Sequence, residues 1–106
     1  MRRSQEAEPG NGSGIVELRD HRDADRYEAL LGDGSVAVLD YRIEGDRILF
    51  THTGTPEEHR RMGIAGRLTR FALDDAVARG LKIVPYCPYT AWFIRENPEY
   101  RPHVAG

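Results

Sequence analysis

The chain has 106 residues, 15 Lys and Arg against 17 Asp and Glu, and a formal net charge of −2. That length suits one domain with a modest core, and the charge argues against a surface that coats nucleic acid. A single cysteine, Cys87, excludes an internal disulfide and a Cys-rich zinc site.

Residues 1–13 are polar, with Gly, Ser and Pro, and read as a disordered tail before one domain over 14–106. The start "MRRSQEAEPGNGSG" has no apolar segment of the signal-peptide kind. No apolar run approaches membrane-spanning length. The expectation is a cytoplasmic protein that engages neither membrane nor nucleic acid.

Four short segments then alternate with period two, the mark of half-buried strands. They are Gly14–Arg19, Arg26–Leu31, Ser35–Ile43 and Asp46–Thr53. The second puts Tyr27, Ala29 and Leu31 on one face, and the third Ala37, Leu39, Tyr41 and Ile43. The fourth puts Ile48, Phe50 and His52 together. "GDG" at 32–34 and "EGD" at 44–46 suit tight hairpins, so an antiparallel meander is expected.

After Pro56 the period changes. Ile64, Leu68, Phe71, Ala72 and Ala76 form one helical stripe, which Gly80 ends in a left-handed cap. "LKIVPYC" reads as a fifth strand, parallel to the one before the helix. Pro88 opens a short second helix, Tyr89 to Asn97, and "PEYRPHVAG" reads as an irregular tail.

The stretch "EEHRRMGIAGRLTRFAL" joins the fourth strand to the first helix. The first N–H groups of a helix lack internal partners, and the dipole adds positive charge there. Gly63 and Gly66 let a ligand approach the backbone, and Arg60 and Arg61 add full charges. Glu57 and Glu58 suit the helix start through the same dipole. The sum is an anion site of the phosphate or pyrophosphate kind. Arg67 and Leu68 follow Gly66 where a P-loop needs Lys and Ser or Thr, and the spaced glycines of a dinucleotide fold are absent.

"RRMGIA", Arg60–Ala65, resembles the Q/R-x-x-G-x-G/A signature of the GCN5-related N-acetyltransferases. "THTGTPEEHRRMGIAGRL" with "IVPYCPYTAWFIRENPEY" resembles a small stand-alone subfamily within that superfamily. The resemblance implies a minimal α/β acetyltransferase fold. Its four-stranded meander is followed by a helix, a parallel fifth strand and a short helix. It implies acetyl-CoA as cofactor, with pyrophosphate on Arg60, Arg61, Met62, Gly63, Ile64 and Ala65, and Gly66 as a further cofactor-binding residue. The pantetheine arm would lie between the strand end at Phe50, Thr51 and Thr53 and the facing segment Tyr86–Tyr89, Tyr89 included. The paired helices after the first strand and the two C-terminal strands of larger members have no counterpart here. The acceptor half is therefore reduced, and a partner protein or a second copy is a candidate to complete it.

Transfer of acetyl to an amine of a small molecule or peptide needs a base, oxyanion donors and an acid for the departing thiol. Cys87 precedes a helix N-terminus, which favours a thiolate. It is a candidate acetyl acceptor or acid, against the alternative of a small buried hydrophobe. His52 titrates in the useful range and is a candidate base, against the alternative of a hydrogen-bonded core histidine. A β-bulge near it would reverse its face. His59 is read as touching solvent or phosphate, and Trp92 and Phe93 as packing aromatics. The rival to an acetyltransferase is a non-catalytic CoA or acyl-CoA binding module or sensor.

Overall fold

The computed structural model describes residues 14–59 and 62–105, leaving out the N-terminal segment, Arg60, Arg61 and Gly106. Among the described residues the strands are β1 (Ile15–His21), β2 (Arg26–Leu31), β3 (Val36–Glu44), β4 (Arg47–Gly54) and β5 (Lys82–Pro85). The helices are α1 (Ile64–Ala78) and α2 (Pro88–Glu96), and 3-10 turns occupy Arg22–Ala24, Glu57–His59 and Pro98–His103.

The sheet order is β1-β2-β3-β4-β5. The first four strands pair antiparallel, and β5 joins β4 in parallel across α1. This is the meander, helix and parallel strand expected from the sequence. Alternation decides the core: Tyr27, Ala29, Leu31, Ala37, Leu39, Tyr41, Ile48 and Phe50 are buried in one cluster. Ile64, Leu68, Ala72, Leu73 and Ala76 of α1 belong to the same cluster. Phe71, on the expected stripe, is only partly buried but meets the Tyr27 ring edge-on at 6.0 Å. Ile43, at the far end of β3, is 39% exposed.

The other face of β2 and β3 mixes Leu30, Val36 and Val38 with charged residues. Glu28 is buried there, 2.8 Å from the Arg19 Nε and 3.1 Å from the His21 Nδ1. Burial pushes the Glu28 carboxyl up, but the bonds from His21 and Arg19 outweigh it and hold it below its ordinary value.

The end of α1 closes as the sequence predicts. Gly80 at φ 73° donates to the Val77 carbonyl and Leu81 donates to the Ala76 carbonyl, the paired bonds of a Schellman cap. Pro88 opens α2 with Cys87 as its N-cap.

The C-terminal segment is more ordered than the irregular tail expected. Its 3-10 turn buries Tyr100, whose hydroxyl donates to Asp74 at 2.6 Å. Arg70 donates to Asn97, Glu99 and Tyr100 while its guanidinium lies over the Phe93 and Tyr100 rings. Val104 then bridges to Ile83, so this segment extends along the outer edge of β5.

Candidate active site

Pairing of β4 with β5 runs from Arg47↔Lys82 to Phe50↔Pro85 and stops, although β4 continues to Gly54. The last tie is the Cys87 N–H on the Phe50 carbonyl, at 2.8 Å. Beyond it the strands part, and α2 begins where β5 would have continued. The opening is a cleft of about 580 Å³ lined by His52, Thr53, Gly54, Thr55, Gly63, Ala65, Gly66 and Tyr89.

One wall is the start of α1. Gly63 is the N-cap at φ 75°, a left-handed conformation that costs a side-chain-bearing residue strain. The Arg67 N–H donates to the Gly63 carbonyl at 3.1 Å, and the Met62 N–H just before α1 donates to the His59 carbonyl at 3.3 Å. No acidic side chain stands in the first turn of α1. Space favours a ligand as well. A Cβ on Gly63 would meet nothing within 4 Å, and one on Gly66 would lie 3.5 Å from the Tyr89 hydroxyl. These features fit an anionic group carried on a long, narrow arm.

The facing wall depends on a bulge. Tyr41 pairs with Phe50 and Asp40 pairs with His52, so Thr51 is an extra residue in β4. Alternation reverses there. His52 is not on the Ile48 and Phe50 face as the strand pattern suggested. It shares the opposite face with Asp40 and is exposed, yet still lines the cleft from the end of β4. Thr53 takes the helix-side face instead, opposite Leu39.

That places Thr53 against Cys87, with Oγ1 and Sγ 3.0 Å apart. Cys87 is 4% exposed and stands behind Thr53 instead of lining the cleft itself. Burial pushes the thiol up. The Thr53 hydroxyl, with the Thr90 and Tyr89 N–H groups of the first α2 turn and the Thr90 hydroxyl, outweighs burial and holds it below its ordinary value. Burial raises the Tyr89 phenol, which sits between α1 and α2 against Trp92 and Phe93.

Of the residues assigned to the cofactor, Thr53, Gly63, Ala65, Gly66 and Tyr89 line the cleft. Phe50 and Ile64 do not: their side chains belong to the core because both point into the α1–sheet interface. Thr51 is exposed on the bulge, and Met62 is 50% exposed just before Gly63. Arg60 and Arg61 lie outside the described residues. Gly54 and Thr55 were missed; the glycine that ends "THTG" was the available signal. His59 is 3% exposed and bonded to Asp33, not turned to solvent.

Known proteins resemble this chain in sequence and in fold. The profile of the GCN5-related N-acetyl-transferase family matches residues 26–103. Protein NATD1 of Bos taurus is 36% identical over 91 residues, which cover 85% of this chain and 80% of that protein. Protein NATD1 of Homo sapiens is 41% identical over 63 residues, 58% of this chain and 56% of its own length. The solution structure of a GCN5-like protein from Staphylococcus aureus matches the fold with a TM-score of 0.67 at 19% identity, over 87% of this chain and 90% of that one. No helix among the described residues is long and apolar enough to cross a membrane. The family match runs from β2 to the C-terminal turn, and the chain belongs to the GCN5-related N-acetyltransferases.

Proposed function

We propose that this chain is an acetyl-CoA-dependent N-acetyltransferase whose cofactor occupies the cleft between β4 and the start of α1. The observation that carries the reading is the meeting of a parted strand pair with a glycine-capped helix N-terminus in one cleft. In this reading the turn at Gly63 and the first α1 amides hold the pyrophosphate, and Arg60 and Arg61 add charge. Thr53, Gly54 and Tyr89 flank the pantetheine arm. Bound acetyl-CoA supplies a thioester whose acetyl group passes to the amine.

His52 is the base on the Asp40 side of β4, where an amine of a small molecule or peptide would arrive. Cys87 acts from the opposite side of the same strand end. A second reading, a non-catalytic CoA-binding module, draws on the 4% exposure of Cys87 behind Thr53. A partner protein or a second copy completing the acceptor side belongs to the same proposal.

Calorimetry with acetyl-CoA, followed by CoA release on a panel of small amines and peptides, tests it. Binding with amine-dependent release is the expected result. Binding with no release on any amine selects the non-catalytic module. An absence of binding overturns both readings.

A further inference from the structure

We propose that Thr53 and Thr90 are positioning residues that hold Cys87 as a thiolate at the cleft wall. The inference rests on the acetyl-CoA reading for its role in a reaction, but its geometry stands without any ligand. Cys87 is the only thiol in the chain. It caps a nine-residue helix and is almost fully covered.

A neutral thiol is a weak donor and a weak acceptor, so it satisfies few neighbours. This one has a hydroxyl in contact, able to donate or accept, and caps the α2 turn that carries a second, buried hydroxyl. The Thr53 hydroxyl is 3.0 Å from sulfur. The Thr90 hydroxyl is completely buried and makes no hydrogen bond of ordinary geometry. A buried orphan hydroxyl is uncommon and needs a physical reason. It nevertheless acts on the sulfur in the direction that favours charge, as do the Tyr89 and Thr90 N–H groups. These N–H groups form no regular side-chain cap bond with the sulfur. A thiolate accepts several donors at once, and bonds to a charged acceptor are the stronger kind. Loss of the proton to solvent would give Thr90 its missing acceptor and shorten the Thr53 contact into a charge-assisted one.

The two hydroxyls come from different elements. Thr90 belongs to the first turns of α2, and Thr53 reaches this face only because Thr51 is bulged. Among the described residues the titratable side chains that line the cleft are His52 on β4 and Tyr89 on α2, while α1 contributes Ala65 and Gly66.

The test is a titration of the ligand-free chain by the far-ultraviolet absorbance of the thiolate, with Cys87→Ser as the blank. Thr53→Val and Thr90→Val keep side-chain volume and remove one hydroxyl each. Each is expected to raise the midpoint by about one pH unit, the order of one hydrogen bond to a charged group. Thr53→Ser and Thr90→Ser are expected to restore most of the wild-type midpoint. Circular dichroism selects folded variants, and either Val–Ser pair suffices if the other pair does not fold. Unmoved midpoints in the folded Val variants, or serine variants no better than valine, overturn the proposal. Acetyl-CoA calorimetry on the same samples is a separate readout: a wild type that binds none sinks the cofactor reading and leaves the thiolate assignment standing.

Discussion

Asp33 and His59, 26 residues apart, meet at 2.7 Å between Oδ2 and Nε2 and tie the β2–β3 hairpin to the turn before α1. The Ser35 hydroxyl and N–H also donate to Asp33, and with His59 they hold its carboxyl at about 2. A depressed carboxyl contributes stability in full above its unfolded value of about 3.9 and loses it as pH falls through the folded value. Wild type should therefore lose melting temperature between about pH 4 and 2, and Asp33→Asn should lose less over the same window. The slope will be reduced and not abolished, since Glu28 and Glu99 are also held low. Identical acid slopes in a melting series would show that the Asp33 bonds carry no linked stability.

Gly66→Ala separates folding from binding. The new Cβ would meet the Tyr89 hydroxyl at 3.5 Å and Phe93 at 3.8 Å, both ordinary contacts. Replacing a helical glycine by alanine should stabilise the fold by up to about 1 kcal/mol. The same methyl occupies the cleft wall, so acetyl-CoA affinity should fall by about tenfold or more, equivalent to roughly 1.4 kcal/mol. Urea unfolding and calorimetry measure the two signs. An unchanged affinity would remove Gly66 from the cofactor site.

Tyr27→Phe tests the polar junction between sheet and helix. The Tyr27 ring is fully buried, and its hydroxyl donates to Asp75 at 2.7 Å. Burial and the Asp75 carboxylate push its phenol well above the ordinary range. Removing a bond to a charged group should cost about 1.5–3 kcal/mol, with Arg79 still beside Asp75 at 3.4 Å. A shifted urea midpoint at unchanged slope is the expected signature.

Arg70 fastens the C-terminal turn. Arg70→Ala removes its three side-chain partners and both ring contacts, at a cost of about 1 kcal/mol. Arg70→Lys should recover little, because an ammonium cannot reproduce a planar fork over two rings. Hydrogen exchange should quicken in residues 98–105 and stay constant in β2 and β3. Uniform acceleration would mean that Arg70 supports the whole domain instead.

Much of this architecture is readable from local signals. Tyr27, Ala29 and Leu31 alternate, Ile64, Leu68 and Ala76 repeat at helical spacing, and Gly80 and Pro88 punctuate. These follow from backbone geometry within a few residues. What escaped depends on distant partners. His59 is buried because Asp33 reaches it from the hairpin. Tyr100 is buried because Arg70 and Asp74 receive it on α1, and no periodicity in the proline-rich tail announces that. The site shows the same division. Gly63 and Gly66 were legible as a helix doorway, whereas Thr53 replaced His52 on the helix side through the register of β3 against β4.

Thr51 works as a phase shift inside β4. Deleting Thr51 would leave Tyr41 on Phe50, Asp40 on His52 and Leu39 on Thr53, a regular ladder with no shift at either end. Pairing Thr51 instead of bulging it has the opposite effect: with the Phe50 end held, Thr51 would face Asp40 and His52 would face Leu39, carrying an imidazole onto the core face toward the sulfur. In that arrangement the hydroxyl–thiol wall becomes an imidazole–thiol pair, the activated couple of cysteine hydrolases. A thiolate titration of the Thr51 deletion variant should match wild type, since Thr53 keeps its place beside Cys87. The chemistry available at this wall thus turns on how one strand is paired as much as on the identity of its residues.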